Sequence, residues 1–176
     1  HSQSPMIADV GAYITEAGGK RMRPALLMLM AKALGYEGTL HQELGATIEM
    51  LHTATLMHDD VVDEGQMRRG RPTANAKWNN GIAVLVGDFM YTRSFQMMIR
   101  IGNLKVMEAL AGAANILSEG EVIQMQNAHD PSVDETRYLQ VIERKTSVLF
   151  AAAAKMAAAI ANASPEQEKA LVDYTM

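Results

Sequence analysis

The sequence predicts an all-α fold, and three observations support this prediction. Apolar residues recur three or four positions apart over long stretches, as Leu44, Ile48 and Leu51 do, which is the spacing of one helical face. Helix-start signatures, in which a hydroxyl residue is followed three positions later by Glu or Gln, precede several of these stretches. No segment shows the alternation of apolar and polar residues that indicates a strand. We therefore expect helices joined by short turns, with no sheet.

The helix starts and stops can be placed along the chain. Thr39, Ser132 and Ser164 each stand three positions before a Gln or Glu, as the first residue of a capping box does. Pro165 occupies the favoured first helical position. We expect the alanine-rich segment 151–159 to allow close packing of helices, and the segments 35–38 and 65–80 to be turns. The expected helices cover residues 6–17, 24–35, 40–64, 82–100, 104–128, 133–163 and 165 onward.

Composition sets the outer bounds. The chain has 176 residues, is 48% hydrophobic and carries a net charge of -4, which fits one globular domain and argues against a general nucleic-acid binder. It contains no cysteine, so disulfides and thiolate metal sites are excluded. No signal peptide is visible, and no run of about 18 uncharged apolar residues would span a bilayer. We expect a protein of the cytoplasm without a transmembrane segment.

A cluster of three carboxylates is the most informative feature. Asp59 and Asp63 are four positions apart and project from one helical face, with Asp60 beside them. No basic residue is interleaved among them, so we expect the cluster to lack a basic partner. Like charges about 4 Å apart repel by roughly 1 kcal/mol in water. Mg²⁺ removes this repulsion, because it binds one or two carboxylates and shares its other positions with water and phosphates. The arginines that follow, Arg68 and Arg69, would hold the phosphates.

A solvated ion-pair patch is the alternative explanation of the same residues. Acidic residues at a helix end followed by arginines can form such a patch, worth about 0 to 1 kcal/mol per pair. His52 lies two helical turns before Asp59 and therefore on the same face. A surface patch needs neither this histidine nor the mainly small and apolar segment 53–57, so both favour the metal site.

Two further basic clusters are candidates for anion binding. Lys20 and Arg23 lie in a glycine-containing loop that leads into a helix, and a flexible backbone and a helix N-terminus both favour an anion. Solvated cations on a capping loop are the alternative. Lys145 and Thr146 lie within the helix expected over 133–163 and could bind phosphate. A lysine that packs its stem on apolar neighbours and keeps its ammonium in water is the alternative there.

These motifs belong to a longer ordered set. Its members are Gly19-Lys20-Arg21-Met22-Arg23-Pro24, His52, Asp59-Asp60-Val61-Val62-Asp63, Arg68-Arg69-Gly70, Gly87-Asp88, Glu119-Gly120-Glu121-Val122-Ile123-Gln124 and Lys145-Thr146. The set resembles that of the trans-type polyprenyl diphosphate synthases over residues 17 to 174. Segments 52–63 and 86–98 particularly resemble the bacterial octaprenyl diphosphate synthases, which make quinone side chains. The resemblance implies an isoprenoid-synthase-type helical bundle, a homodimer, and a role in isoprenoid and ubiquinone biosynthesis.

The resemblance also implies a reaction and its residues. The enzyme would be an Mg²⁺-dependent prenyltransferase that condenses isopentenyl diphosphate, step by step, onto an allylic, farnesyl-like diphosphate. The allylic carbon–oxygen bond ionises, the isopentenyl double bond attacks the cation, and a proton is lost, while positive groups stabilise the leaving diphosphate. Asp59 and Asp63 would hold Mg²⁺, with Asp60 supporting them. The implied isopentenyl diphosphate site is Lys20, Arg23, His52 and Arg69, and the implied allylic diphosphate site is Arg68, Lys145, Thr146 and Gln124.

One departure from the family pattern affects the expected activity. The family has a second aspartate-rich motif on a later helix, and the sequence up to Met176 contains no second Asp-Asp-x-x-Asp. We therefore expect residues 1–176 to be the N-terminal portion of one helical domain, inactive by itself. Two other classes stay open. One is a non-catalytic subunit that regulates a catalytic partner, and the other is a class I terpene cyclase, which shares the metal chemistry but has no second diphosphate for Lys20, Arg23 and His52 to bind.

The helix that carries the carboxylates also predicts a determinant of product length. Residues that precede Asp59 on or near its face follow one another in steps of 1.5 Å, so a growing chain would pass them in turn. Ala54 is small and leaves a path open, although ordinary close packing of helices would explain it equally well. The residues expected to measure the product are Thr55, Ala54, Leu51 and Ile48.

Overall fold

The computed structural model describes residues 2–128 and 130–176, and nearly all of its regular elements are helices. The all-α prediction is confirmed, with a two-stranded hairpin as a minor addition. The hairpin consists of β1 (Met67–Arg68) and β2 (Arg71–Pro72). The helices are α1 (Pro5–Glu16), α2 (Met22–Ala33), α3 (Leu40–Val62), α4 (Ala74–Lys77), α5 (Asn80–Ile101), α6 (Leu104–Asn127), α7 (Glu135–Ile142), a π-helix (Glu143–Ser147), α8 (Val148–Ala161) and α9 (Pro165–Thr175).

The chain divides into two compact units. The first unit comprises His1–Arg21 and Glu49–Met97, and the second comprises Met22–Ile48 and Met98–Met176. Helices α3 and α5 each contribute residues to both units. The expectation of a single domain stays a prediction. Within the described residues, no helix combines the length and the apolar character that a membrane crossing requires.

The first unit is built around a small apolar core. Val10 of α1, Met57 of α3 and Val86 of α5 are buried in it together with two alanines. Trp78 packs against this core, and the Tyr13 ring meets it edge to face at 5.2 Å between ring centroids. Burial of these apolar side chains fixes the C-terminal half of α3 against α1 and α5. The carboxylates at the end of α3 therefore follow a well-packed segment.

The second unit is organised around α8. This helix packs against α2, α6 and α9, and most of its residues from Leu149 to Ile160 are buried. Because alanine side chains are short, three neighbouring helices can approach the α8 backbone. The expectation that segment 151–159 serves close packing is confirmed.

The helix expected over 133–163 differs from the prediction in two ways. Its N-cap is Asp134, whose carboxylate accepts the Arg137 backbone N–H at 2.8 Å, while Ser132 bonds to Asp130 instead. Its middle is a π-helix of five residues, Glu143–Ser147, between α7 and α8. The capping box expected at Ser164 is confirmed, since the side chains of Ser164 and Gln167 each bond to the other's backbone N–H.

The turn expected over 65–80 contains more structure than predicted. Arg69 and Gly70 both have positive φ, 53° and 76°, between strands in which Arg68 pairs with Arg71. Two consecutive residues with positive φ are typical of the two-residue turn that joins hairpin strands. The expectation of no strand is therefore wrong here, because two residues per strand are too few to show an alternating pattern.

Candidate active site

The three carboxylates at the end of α3 have different surroundings. Asp60 is buried, Asp59 is half-buried and Asp63 is exposed. The Nε of Arg68 donates to both oxygens of Asp60, at 2.8 and 3.0 Å, and its Nη2 lies 2.8 Å from Asp60 Oδ1. The expectation that the cluster lacks a basic partner is wrong for Asp60. The hairpin, which the sequence pattern did not reveal, brings Arg68 back to the helix end.

The same arginine experiences the charge of the whole cluster. The pKa of Arg68 is raised above its ordinary value, chiefly by the hydrogen bond to Asp60 and also by the charges of Asp60, Asp59 and Asp63, while burial acts in the opposite direction. The guanidinium therefore stays protonated. It is a fixed positive charge at the helix end, and its side chain is 37% exposed.

The donor set fits a metal that is only partly bound by protein. Among residues 2–128 and 130–176, no three His, Cys, Asp or Glu side chains converge in a way that could hold an ion. Mg²⁺ does not need such a cage, because it retains waters and binds through one or two carboxylates plus substrate phosphates. Asp59 in the last turn of α3 and Asp63, the residue that follows its end and whose N–H bonds to the Asp59 carbonyl at 2.8 Å, match that requirement, whereas Asp60 is held by Arg68.

The loop before α2 meets the hairpin turn in the first unit. Gly18 and Gly19 have φ of +78° and +143°, and Arg69 Nη1 donates to the Gly18 carbonyl. Any other residue at Gly19 would be strained by this φ, and its Cβ would lie 2.7 Å from the present position of the Arg69 guanidinium. Lys20, the next residue, is exposed. The structure thus brings Arg69 against the glycine loop that leads to Lys20.

Arg21 in this loop has a role that the sequence did not indicate. Its Nη1 lies 2.5 Å from Glu49 Oε1, and its Nη2 donates to the Thr15 carbonyl at 3.0 Å. Both contacts tie the loop to the first unit. Arg21 therefore anchors the loop, which leaves the neighbouring cations as the candidates for ligand binding.

The remaining members of the implied isopentenyl site, His52 and Arg23, belong to different units of the chain. His52 is half-buried on α3 in the first unit. Arg23 belongs to α2 in the second unit, where its guanidinium carbon lies 4.6 Å from the centroid of the Phe150 ring. This stacking orients the Arg23 side chain.

The implied allylic residues of the second unit lie on α6 and the π-helix. Lys145, in the middle of the π-helix, donates to Glu121 Oε2 of α6 at 2.9 Å. Thr146 is exposed beside it, and Gln124 follows Glu121 by three positions on α6, which places both on one helical face. Glu121 is a partner that sequence reasoning quoted within a motif but did not assign to a role.

A second pair that the sequence did not indicate involves His58, the residue before Asp59. His58 Nε2 is 3.2 Å from Asp88 Oδ1 and 3.4 Å from the Val84 carbonyl oxygen. A Cβ at Gly87 would lie 2.5 Å from the same ring nitrogen, so glycine lets α5 approach α3 here. Gly87 next to Asp88 was the available signal, since a glycine inside a helix indicates close packing.

The residues expected to measure the product lie inside the protein. Ile48, Leu51 and Ala54 have no exposed surface, and Thr55 is 9% exposed. Their burial is compatible with an internal path along α3, and equally with ordinary packing.

The comparison with protein families identifies the chain. A family model described as polyprenyl synthetase matches residues 4–176. The chain belongs to the polyprenyl synthetase family. The resemblance recognised in the motifs is therefore confirmed over almost the whole sequence.

Several similar curated proteins are named as long-chain prenyl diphosphate synthases. It is 52% identical over 174 residues to octaprenyl diphosphate synthase of Escherichia coli (strain K12), covering 99% of this chain and 54% of that protein. It is 48% identical over 171 residues to the nonaprenyl-diphosphate synthase of Rhodobacter capsulatus, covering 97% of this chain and 52% of that protein. The chain spans about half the length of the curated relatives it matches.

Solved structures confirm the expected isoprenoid-synthase fold of the chain. A decaprenyl diphosphate synthase from Rhodobacter capsulatus superimposes with a TM-score of 0.97 at 49% identity, covering 99% of this chain and 54% of that one. A polyprenyl synthase from Caulobacter crescentus CB15, solved with calcium and isoprenyl diphosphate, gives 0.97 at 39% identity, with 99% and 53% coverage.

Proposed function

We propose that this polyprenyl synthetase acts, in the full protein, as a prenyltransferase that condenses isopentenyl diphosphate onto an allylic diphosphate. The observation that carries the proposal is the end of α3, where Asp59 and Asp63 share a face and Arg68 is held in place by Asp60. The similar proteins are named as long-chain prenyl diphosphate synthases, and this supports the same reaction.

The chain's own residues would bind and orient the allylic diphosphate. Asp59 and Asp63 would hold Mg²⁺, which when bound neutralises phosphate oxygens and helps the diphosphate to leave. Arg68 and Lys145 would hold the same diphosphate, with Thr146 and Gln124 in supporting positions. Fixed positive groups stabilise the charge that develops on the departing oxygens, and a preorganised site does this without reorganisation during the reaction.

The second substrate would bind at the other cationic cluster. Lys20, Arg23, His52 and Arg69 would hold isopentenyl diphosphate, so that its double bond faces the allylic carbon. The stacking of Arg23 on Phe150 and the bond from Arg69 to Gly18 support this assignment, because both orient a cation in advance. Two separate diphosphate sites also distinguish this reaction from that of a terpene cyclase.

The length and use of the product are inferred from the similar proteins. We infer an octaprenyl-like product used for quinone side chains, because octaprenyl and nonaprenyl synthases are similar to this chain at 52% and 48% identity. A homodimer and a location in the cytoplasm stay predictions. So does the expectation that residues 1–176 are inactive by themselves.

The metal assignment is tested on the full protein. We expect Mg²⁺ and a non-hydrolysable allylic diphosphate analogue to bind cooperatively in titration calorimetry, and Asp59→Ala to lose both this cooperativity and turnover. Removal of Asp59 takes away one of the two carboxylates that would hold the ion, and with it part of the link between the ion and the diphosphate. Analogue binding that is indifferent to EDTA, or normal turnover of Asp59→Ala, would exclude the metal site.

A heteromeric arrangement is a second candidate, because one relative has a two-component name. Heptaprenyl diphosphate synthase component 2 of Bacillus subtilis is 35% identical over 170 residues, covering 97% of this chain and 49% of that protein. Purified full protein that forms product without another polypeptide would exclude a requirement for a second component.

A further inference from the structure

The ion pair between Lys145 and Glu121 joins a π-helix to α6 and is largely shielded from solvent. Lys145 is on a π-helix, Glu121 is on α6, and both side chains are largely shielded, with 28% and 21% exposure. Short π-helical segments within α-helices occur frequently at functional sites. In the proposed function Lys145 binds the allylic diphosphate. Its partner Glu121 has no assigned role there.

The backbone of the second unit brings these two side chains together. Gly120 precedes Glu121 on α6, and a Cβ there would lie 2.8 Å from Arg144 Cβ and 3.5 Å from the Lys145 nitrogen. Glycine therefore permits direct contact between α6 and the π-helix. On the other side of Gly120, Glu119 pairs with Arg144. Of these neighbours, only Glu121 contacts the Lys145 ammonium, whereas Glu119 contacts Arg144.

Stability alone explains this pair poorly. The second oxygen of Glu121, Oε1, is buried and has no hydrogen-bond partner among the protein atoms. A shielded ion pair contributes to stability only when its remaining hydrogen-bonding positions are satisfied, because desolvation of both charges opposes the attraction between them. The pair is better explained by orientation. A lysine side chain loses rotamer entropy when it is ordered, and the contact with Glu121 at 2.9 Å restricts the Lys145 ammonium without any ligand.

We propose that Glu121 is a positioning residue that holds the Lys145 ammonium in place for the allylic diphosphate. This inference rests on the proposed function, since it assigns to Glu121 an effect that acts through Lys145. Glu121 itself need not touch the substrate.

A double-mutant cycle on the full protein tests the inference. We expect Glu121→Ala to lower kcat/KM for the allylic diphosphate about tenfold, because a charged hydrogen bond that orients the lysine is lost. We expect Glu121→Gln, which keeps an acceptor oxygen, to lie between this variant and wild type. In the Lys145→Ala background, Glu121→Ala should cause less than about a twofold further change, since its effect requires the lysine. The KM for isopentenyl diphosphate should stay within about twofold throughout.

Glu119→Ala is the matched control, because it breaks the neighbouring pair with Arg144 without touching Lys145. Its kcat/KM should stay within about twofold of wild type. An equal loss in Glu119→Ala, or a full additional loss from Glu121→Ala in the Lys145→Ala background, would overturn the positioning role.

Chemical labelling separates this inference from the proposed function. With an amine-reactive reagent and peptide mass spectrometry, we expect Lys145 to label at least about threefold faster in Glu121→Ala than in wild type or Glu119→Ala, because the ammonium loses its partner. Unchanged labelling overturns the inference whatever the protein catalyses. If Lys145 labels faster in Glu121→Ala but the wild-type protein binds no allylic diphosphate, the proposed function is refuted and the contact between Glu121 and Lys145 is upheld.

Discussion

Asp60 and Asp63 have the same side chain at positions three residues apart, and the structure gives them different tasks. Asp60 is 8% exposed and accepts two hydrogen bonds from Arg68 Nε, whereas Asp63 is exposed at the helix end. Sequence spacing treats them as members of one motif. The difference arises because the hairpin places Arg68 beside only one of them.

This difference predicts unequal effects of two isosteric substitutions on the stability of the protein. Asp60→Asn should lower stability by about 1 to 3 kcal/mol, because the buried Asp60 loses the charge that pairs with Arg68 and an amide offers one acceptor where Arg68 requires two. Asp63→Asn should leave stability within about 0.5 kcal/mol of wild type, since it is a surface substitution. Thermal unfolding without metal measures both.

The response of the melting temperature to ligands tests whether Asp63 belongs to the metal site. Addition of Mg²⁺ and an allylic diphosphate analogue should raise the melting temperature of wild type and fail to raise that of Asp63→Asn. A normal ligand-dependent rise in Asp63→Asn would remove Asp63 from the metal site. Equal stability of Asp60→Asn and wild type would show that the Arg68 contact contributes nothing to folding.

At the scale of elements, the contact between α6 and the π-helix depends on a glycine. Gly120 is buried, and a Cβ there would lie 2.8 Å from Arg144 Cβ, which cannot move away as the end of a long side chain could. Gly112, two turns earlier on α6, is exposed and has no atom within 4 Å of such a Cβ. The two glycines therefore form a matched pair within one helix.

Alanine should have opposite effects at these two positions. Gly120→Ala should destabilise the protein by about 1 to 3 kcal/mol, because the extra methyl group overpacks the contact and displaces the π-helix. Gly112→Ala should stabilise it by about 0.5 to 1 kcal/mol, because alanine is the better helix former at an open position. Denaturant titration measures both changes. A stabilised Gly120→Ala variant would show that α6 and the π-helix do not meet at this distance.

At the scale of the whole molecule, product length tests whether α3 lines the path of the growing chain. Ala54 is fully buried five positions before Asp59. Ala54→Tyr should close the path and shorten the main product to a few isoprene units, while the first condensation continues because the metal carboxylates are unchanged.

Chromatography of radiolabelled products from the full protein measures this change, and Ala54→Ser serves as a control that adds little volume. Long products from Ala54→Tyr, with activity retained, would show that the chain does not grow along this face of α3. Loss of all activity with normal folding would show instead that Ala54 supports the site and not the product.

The sequence predicted the helical elements well where local signals were strong. Helix α9 begins at Pro165 behind the Ser164 capping box, and α3 begins at Leu40 after Thr39. The prediction failed at Ser132 because two neighbouring residues could cap the same helix, and Asp134 does so. It also missed the π-helix Glu143–Ser147, which meets α6 at Gly120, since no local pattern in the sequence indicates the register change.

The sequence by itself determined the helical class, the family motifs and the types of residue available for the chemistry, because these depend on local spacing and side-chain identity. Only the tertiary structure decided which charges meet. It paired Asp60 with Arg68, Arg21 with Glu49 and Lys145 with Glu121, over separations of 8, 28 and 24 residues. Such pairings depend on where packing brings the backbone, and side chains far apart in the chain carry no local signal of that distance.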